Sequence, residues 1–263
     1  MFFCAVQPPE IRYICPRREG SRIWGRREGP PMEIRLDRIS RGEALRYLGM
    51  RGLVPPDVDG ELDRCEALLL RVIHPRVTWR CFGILPDGTL AGTAFHPEGQ
   101  SIQALLKGCS RAVLMAATLG AEADTLIRRT QGKSLSDAVM LDSLCNAAIE
   151  DVCDTLCGQL ARELAPAFLT PRFSPGYGDF PLSQQPLFAA VLDLPRQLGI
   201  TLTESWLMTP QKSVTALMGV SDSPPAMHTG GCQSCSFSDR CLYRKEGAGC
   251  GSASFRKPGD GSL

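Results

Sequence analysis

The chain has 263 residues, 43% of them hydrophobic, which is enough apolar material for a buried core and excludes a chain that is disordered throughout. Its 29 basic and 28 acidic residues almost cancel, which argues against nucleic acid or an anionic membrane as a general partner. It contains no uninterrupted run of about 18 apolar residues, so we predict no transmembrane helix.

The first 31 residues are rich in arginine and proline. Six arginines lie between Arg12 and Arg27, and prolines interrupt any helical period. A signal peptide needs an apolar stretch after a basic start, and here the order is reversed. We therefore predict that residues 1–31 are a disordered basic extension. Met32, directly after a Gly-Pro-Pro sequence, is a candidate for the true start of the protein.

Residues 33–130 alternate between helical and strand-like patterns. Ser40, with Glu43 three residues later, forms a capping box that predicts the start of a helix. Val77–Ile84 and Thr89–Phe95 flank a Pro-Asp-Gly turn and are candidate strands of a hairpin. In chain order we predict a strand Glu33–Leu36, a helix Ser40–Tyr47, a helix of about Gly60–Val72, the two hairpin strands, a helix Ser101–Lys107, a buried strand Arg111–Thr118 and a helix Ala121–Thr130.

A helix of about Leu135–Leu164 dominates the predicted fold, because apolar residues recur along it at helical spacing. Asn146, Glu150 and Asp154 are spaced four apart, so they share a second face of this helix. That face carries an amide and two carboxylates. The simplest interpretation is the solvated side of an amphipathic helix.

One more predicted helix, of about Gln184–Gln197, is closed by Gly199. Thr201–Met208 and Ser213–Val220 follow as two predicted strands joined across residues 209–212. Helices that alternate with short strands and end in an antiparallel-looking pair indicate an α+β fold rather than a doubly wound sheet. We expect one domain over residues 32–222 and a cysteine-rich tail over residues 223–263.

Several common site types are excluded by missing residues. No G-x-G-x-x-G occurs, so a Rossmann dinucleotide site is not expected. A Gly-Lys-Ser sequence at 132–134 imitates the end of a phosphate-binding loop, but the position that requires the earlier glycine holds Ile127. His74, His96 and His228 have neither a paired metal pattern nor a nucleophile signature nearby, and we interpret them as ordinary surface or packing residues.

The 12 cysteines include one close group. Six others lie singly in apolar segments, where a free thiol behaves as a small hydrophobic group, and this usage fits a reducing cytoplasm. Four thiolates on flexible, glycine-bracketed backbone suit either structural zinc or an iron–sulfur cluster, and the sequence leaves both open. The alternative is a set of free thiols in a mobile tail. The close group has the spacing C-x2-C-x5-C-x8-C and consists of Cys232, Cys235, Cys241 and Cys250.

The main candidate for a binding site is Thr-Pro-Arg-Phe-Ser-Pro-Gly-Tyr at residues 170–177, called the motif loop below. Arg172 offers a planar five-donor fork suited to a carboxylate or phosphate, and Tyr177 offers an apolar ring with one polar tip. Ser174 adds a hydroxyl. Pro175 fixes a backbone angle, while Gly176 removes the side chain that would keep a ligand from the main chain. The alternative is an ordinary surface turn, since Ser-Pro-Gly is common turn chemistry.

The motif loop is followed by Leu-Thr-Glu-Ser at 202–205 and by Met-x-Pro-x-x-Ser-Val at 208–214. This order resembles the reactivation domain of cobalamin-dependent methionine synthase, in which R-x-x-P-G-Y precedes L-T-E-S and M-x-P-x-x-S-V. Ala-Thr-Leu-Gly at 117–120 and the helix that contains Glu150 also look like parts of stand-alone members of that family. The resemblance covers roughly residues 32–221. It implies a mixed fold with a twisted antiparallel sheet and flanking helices.

The resemblance also implies an S-adenosylmethionine site. The family's motif arginine and tyrosine contact that ligand, and a glutamate on the long helix is a further contact. By charge, the arginine would pair with the ligand's carboxylate, and the glutamate would offset its ammonium or sulfonium group. The implied ligand contacts in this chain are Glu150, Arg172, Ser174, Pro175, Gly176 and Tyr177.

In the family, methylation by S-adenosylmethionine returns inactive cob(II)alamin to methylcobalamin. This chain lacks D-x-H-x-x-G, the family's cobalamin-module motif. We therefore predict a stand-alone reactivator that serves the cobalamin of a separate methionine synthase lacking its own reactivation domain. Flavodoxin or ferredoxin would supply the electron, and a cluster on Cys232, Cys235 and Cys241 would relay it. Two alternatives stay open, namely reactivation of another corrinoid methyltransferase and a non-catalytic interaction module stabilised by zinc.

Overall fold

The structure, a computed structural model, describes residues 27–28, 31–50, 54–164 and 168–223. A six-stranded antiparallel sheet lies at its centre, in the order β1-β3-β4-β8-β5, with β2 pairing with the other end of β3. A separate two-stranded hairpin joins β6 to β7. The strands are β1 (Arg27–Glu28), β2 (Met32–Glu33), β3 (Arg76–Gly83), β4 (Arg111–Thr118), β5 (Phe168–Leu169), β6 (Thr201–Leu202), β7 (Met208–Thr209) and β8 (Ser213–Ser221).

Helices cover both faces of this sheet. The helix α2 starts with a proline at its first position, where a missing N–H is harmless, and Ser134 caps α5 by accepting a hydrogen bond from the backbone N–H of Asp137 at 3.2 Å. None of the helices in the described part of the chain is long and apolar enough to cross a membrane. The helices are α1 (Arg41–Tyr47), α2 (Pro56–Leu70), α3 (Gln100–Leu106), α4 (Ala121–Gln131), α5 (Leu135–Glu163), α6 (Gln185–Leu192) and α7 (Leu194–Leu198).

Two apolar cores form because successive residues of a strand point to opposite faces. Val113 and Met115 of β4 belong to the core beneath α1, α2, α4 and α5, whereas Ala112 and Leu114 belong to the core beneath α3, α6 and α7. All eight residues of β4 are buried, as expected for a strand covered on both faces. The architecture is therefore helix, sheet, helix, and the predicted α+β fold with an antiparallel sheet is confirmed.

The strongest periodicities predicted their elements well. The bounds of β4 coincide with the predicted buried strand, and α5 ends one residue before the predicted end. Gly199 closes α7 in the left-handed conformation that was expected of it. The six cysteines predicted to be single and free are indeed free in the described part of the chain, and four of them are buried.

Predictions that depended on local capping and hairpin signals were correct only in part. Ser40 is the N-cap of α1, which ends at Tyr47 as predicted, but its hydroxyl donates to Oδ1 of Asp151 at 2.5 Å and makes no capping hydrogen bond. Residues 89–95 form no strand and pair back only around the turn, through the bridge of Ile84 with Leu90 and a hydrogen bond from the Ala91 N–H to the Gly83 carbonyl oxygen. Beyond the turn, β4 pairs with one edge of β3, and β1 and β2 pair with the other. Residues 201–208 are not one strand but the hairpin of β6 and β7.

Several predicted bounds also need correction. The predicted helix over residues 184–197 breaks at Asp193, which has a positive φ of 52°, just before Pro195, whose ring is not accommodated in a continuous helix. The strand predicted over Glu33–Leu36 is β2, which starts at Met32 and ends at Glu33. The second helix starts at Pro56 and ends at Leu70, earlier at both ends than predicted.

Candidate functional site

The motif loop is fastened to the outer edge of β8. Thr170 donates its backbone N–H to the carbonyl oxygen of Gly219 at 3.0 Å, and its hydroxyl accepts the N–H of Gly219 at 2.7 Å. Phe173 and Leu217 exchange two backbone hydrogen bonds of 2.9 Å. Gly219 permits this approach, since a Cβ there would lie 3.0 Å from Cγ2 of Thr170 and 2.5 Å from the sulfur of Cys109. The loop therefore starts from a fixed, extended segment.

This extended segment directs neighbouring side chains to opposite faces of the sheet. Arg172 reaches α5, whereas Phe173 packs into the other core, with its ring 6.1 Å from that of Phe180. Beyond it, Gly176 turns the chain with a φ of +93°, and its N–H donates to the carbonyl oxygen of Phe180 at 2.8 Å. The ring of Tyr177 is half-buried beside that of Phe173. The loop is thus a built turn whose arginine points inward.

Arg172 binds two carboxylates of α5. Its Nη2 donates to Oε2 of Glu150 at 2.7 Å, and its Nη1 donates to Oδ1 of Asp154 at 2.6 Å. Nη1 also lies 3.4 Å from the sulfur of Cys157. Glu150 and Asp154 can share one guanidinium because residues four apart are neighbours on a helix surface. We call these three charged residues the arginine cluster.

The arginine cluster is not the solvated helix face that the simplest interpretation of α5 predicted. The side chains of Arg172 and Glu150 are only 14% and 13% exposed, whereas that of Asp154 is 44% exposed. Burial raises the pKa of Glu150, and the neighbouring charge of Asp154 raises it further, while Arg172 acts in the opposite direction. Burial together with the charge of Glu150 raises the pKa of Tyr47 to about 12. The cluster therefore holds one more negative charge than positive charge in a largely buried place.

A second basic residue reaches the same face of α5 further towards its N-terminus. Nζ of Lys212 donates to Oδ1 of Asp142 at 2.7 Å and to Oδ1 of Asn146 at 2.8 Å, and its side chain is 3% exposed. The amide of Asn146 in turn donates to Asp142 at 3.2 Å. We call these three residues the lysine cluster. It ties the start of β8, and with it the Met-x-Pro-x-x-Ser-Val sequence, to α5.

The Leu-Thr-Glu-Ser sequence forms the tip of the hairpin of β6 and β7. The hydroxyl of Thr203 accepts the N–H of Leu207 at 3.0 Å, which closes the tip. Trp206 adopts a positive φ of 63°, and both Trp206 and Leu207 are exposed. Thus the hairpin tip presents apolar side chains at the surface.

Sequence reasoning placed Arg172 and Glu150 in one site, and the structure brings them into contact. It missed Asp154 as a partner of Arg172, although the four-residue spacing on α5 was a usable signal. Asp142 and Lys212 were missed because their pairing spans 70 residues and depends on the start of β8 packing on α5. Backbone atoms of Ser174 and Gly176 form the turn, while Pro175 is buried within it.

Two further features lie away from the motif loop. The predicted metal ligands fall outside the residues that the structure describes; they are Cys232, Cys235, Cys241 and Cys250. Among the described residues, no group of side chains could hold a metal ion. A cavity of about 320 Å³ is lined by residues 34–37 with Leu70, Ile73 and Pro75, and it includes no residue of the arginine cluster. The two charged residues in its lining, Arg35 and Asp37, pair with each other at 3.2 Å, so the chemistry favours the motif loop as the candidate site.

The fold has been seen before in a solved structure. The chain matches the crystal structure of the MetH reactivation domain bound to AdoHcy with a TM-score of 0.54, over 86% of this chain and 87% of that chain. The two sequences are 16% identical over the match, so the likeness establishes a shared fold. No family model matches the sequence, and no curated protein matches it.

Proposed function

We propose that this chain binds S-adenosylmethionine at the motif loop and acts as a stand-alone reactivator of a cobalamin-dependent methionine synthase. One observation carries the proposal: Nη2 of Arg172 donates a hydrogen bond to Oε2 of Glu150 at 2.7 Å, although the two residues are separated by 22 positions in the sequence. They do so in a fold shared with the MetH reactivation domain. These are two of the residues that the sequence resemblance implies as ligand contacts.

The arginine cluster fits the charged end of this ligand. S-adenosylmethionine carries a carboxylate, an ammonium and a sulfonium, so its net charge is positive. Arg172 has five N–H donors and can bind a carboxylate through two of them. Glu150 and Asp154 leave one uncompensated negative charge, which favours a cationic ligand over a neutral one.

The motif loop fits the remainder of the ligand. Gly176 is exposed and has no side chain, so a ligand can approach the backbone of the turn closely. The half-buried ring of Tyr177 offers an apolar face and a hydroxyl. The chain's own contribution is to bind and orient the ligand, because the methyl donor supplies the reactive group.

We place the cobalamin on a separate protein in this proposal. The partner is a methionine synthase without its own reactivation domain, and flavodoxin or ferredoxin is the electron donor. The exposed hairpin tip with Trp206 and Leu207 is available for docking to such a partner.

A reconstitution assay tests the proposal. The full chain is mixed with a methionine synthase that lacks a reactivation domain and carries cob(II)alamin, together with S-adenosylmethionine and reduced flavodoxin. We expect the cobalamin absorbance to change to that of the methylated form only when this chain and S-adenosylmethionine are both present. The variant Arg172→Lys, which keeps the charge but loses the fork, should be slower. A rate independent of this chain would contradict the proposal.

The cysteine tail carries a separate part of the proposal, namely a metal site on Cys232, Cys235, Cys241 and Cys250. Its support is the spacing of four thiolates alone. Anaerobic purification followed by iron, sulfide and zinc analysis tests it, with Cys232→Ser as the comparison. Iron with sulfide supports an electron relay, zinc alone supports a structural role, and an equal metal content in the variant contradicts the site.

A further inference from the structure

We infer that Asp154 competes with the carboxylate of the ligand for Arg172 and so sets the affinity of the site. The inference rests on the proposed function and concerns the regulation of that same site. It starts from the contact of 2.6 Å between Nη1 of Arg172 and Oδ1 of Asp154.

Both terminal nitrogens of the guanidinium already have carboxylate partners. Nη1 donates to Asp154, and Nη2 donates to Glu150. We infer that the ligand carboxylate binds end-on, through one N–H of Nη1 and one N–H of Nη2. Nη1 has two N–H groups and already contacts both Asp154 and the sulfur of Cys157, so end-on binding displaces a partner of Nη1.

Asp154 is the carboxylate that can leave. Its side chain is 44% exposed, so the released carboxylate regains water and loses only a screened ion pair. Glu150 is 13% exposed, and without Arg172 it would remain a buried, uncompensated charge. The exchange thus proceeds at Nη1, where a ligand carboxylate replaces that of Asp154.

Nothing else at Nη1 has to move. The sulfur of Cys157 lies 3.4 Å from Nη1, and Cys157 sits on α5 one turn beyond Cys153, partly buried against the core. Glu150 keeps Nη2 and holds the guanidinium in place. Asp154 therefore acts as an internal competitor. The apparent affinity of the site is its intrinsic affinity multiplied by the fraction of molecules in which Asp154 does not contact Nη1.

Two neutral ligands separate competition for the carboxylate from a general charge effect. S-adenosylhomocysteine carries a carboxylate and an ammonium and has no net charge. Methylthioadenosine is also uncharged but has no amino-acid group. A change that acts on the nucleoside part of the ligand affects both ligands alike, whereas competition at Nη1 affects only S-adenosylhomocysteine, which has the carboxylate.

The test is isothermal titration of both ligands into the full chain, its Asp154→Asn variant and a matched Asp151→Asn control. Asp151 is a carboxylate of the same helix that binds Ser40, with its Oδ2 2.8 Å from the Ser40 N–H, and it does not pair with Arg172. We expect Asp154→Asn to bind S-adenosylhomocysteine about threefold to tenfold more tightly and methylthioadenosine unchanged. The Asp151→Asn control should bind both as the wild type does.

The outcomes distinguish the inference from the proposed function. If the wild type binds S-adenosylmethionine and Asp154→Asn binds S-adenosylhomocysteine no more tightly, the inference fails and the proposed function stands. The inference is also overturned if Asp154→Asn binds both ligands more tightly by the same factor. Weaker binding of S-adenosylhomocysteine to Asp154→Asn overturns it as well, since Asp154 would then be a partner of the ligand's ammonium. If the folded wild type binds neither S-adenosylmethionine nor S-adenosylhomocysteine, both are wrong.

Discussion

The two basic side chains that reach the polar face of α5 are built in different ways. Lys212 is matched by one carboxylate and one neutral amide, so the lysine cluster is balanced in charge. Arg172 is matched by two carboxylates, so the arginine cluster has an excess of one negative charge. Lys212 is also more deeply buried, at 3% against 14% exposure.

This difference separates a structural contact from a candidate site. A balanced, buried lysine fastens β8 to α5 and leaves nothing for a ligand to satisfy. The arginine cluster retains negative charge, donors in a planar fork and one half-exposed partner, Asp154. Burial raises the pKa of Glu150, and a buried carboxylate with a perturbed pKa is a feature expected at a functional site.

The largest difference between the two clusters is expected when the basic residue of each, Arg172 or Lys212, is replaced by methionine. Arg172→Met leaves Glu150 buried without a partner, so we expect a loss of about 3–5 kcal/mol in the free energy of unfolding. Lys212→Met should lose only about 1.5–3 kcal/mol, because Asp142 is 46% exposed and can be hydrated. Urea unfolding of both variants measures the difference. A larger loss for Lys212→Met would show that Asp142 without Lys212 costs more free energy than Glu150 without Arg172.

Glu150→Gln makes the arginine cluster resemble the lysine cluster, with one carboxylate and one amide. We expect S-adenosylmethionine to bind about tenfold more weakly, which is about 1.4 kcal/mol, as measured by calorimetry. The stability at neutral pH should not fall, because burial raises the pKa of Glu150 and so disfavours its ionised form in the fold.

The same variant has a defined pH dependence. An acid with a raised pKa in the folded state stabilises the fold below its unfolded pKa, and this stability is lost as the pH rises through the folded pKa. The wild type should therefore lose stability relative to Glu150→Gln between about pH 4 and the folded pKa of Glu150. Unfolding curves at a series of pH values measure this, and the opposite slope would show that Arg172 outweighs burial.

Asn146→Asp is the converse change, which gives the lysine cluster two carboxylates. The substitution removes the donor to Asp142 and places like charges together, so we expect a loss of about 1 kcal/mol in the free energy of unfolding. It should not create a second ligand site, since Lys212 lacks a planar fork. A titration that finds two bound ligands would refute this distinction.

The smallest expected effect is on Tyr47, which lies near the negative charge of Glu150. Its pKa is about 12, raised first by burial and then by Glu150. Tyrosinate absorbance, compared with Tyr47→Phe, should show this residue titrating later than an ordinary tyrosine at about pH 10. Glu150→Gln should lower the pKa of Tyr47, whereas Lys212→Met should leave it unchanged.

Long apolar patterns made much of this fold predictable. β4 is a mainly apolar run, and α5 has a sustained helical period, so both were predicted within one residue. Short elements were not predictable, because their partners are distant in sequence. Thr89–Phe95 looks like a strand, but β4 pairs with one edge of β3, and β1 and β2 pair with the other.

The candidate site was predictable only in outline. The spacing of Asn146, Glu150 and Asp154 placed them on one face of α5, and this is correct. Whether Arg172 or Lys212 contacts a given residue of this face depends on the paths of β8 and the motif loop across the sheet. The sequence therefore suggested Glu150 as a partner of a ligand cation, while the structure adds that Arg172 already holds it.

Calorimetric titration of S-adenosylmethionine into the wild type, Arg172→Lys and Lys212→Met tests the central claim most directly. Circular dichroism first establishes that each variant is folded. The proposal predicts binding to the wild type, an equal affinity for Lys212→Met, and a loss of about 1.5–3 kcal/mol for Arg172→Lys, because lysine cannot replace the bidentate fork. The claim is contradicted if the folded wild type does not bind, even with the cobalamin-carrying partner present, or if Arg172→Lys binds as tightly as the wild type.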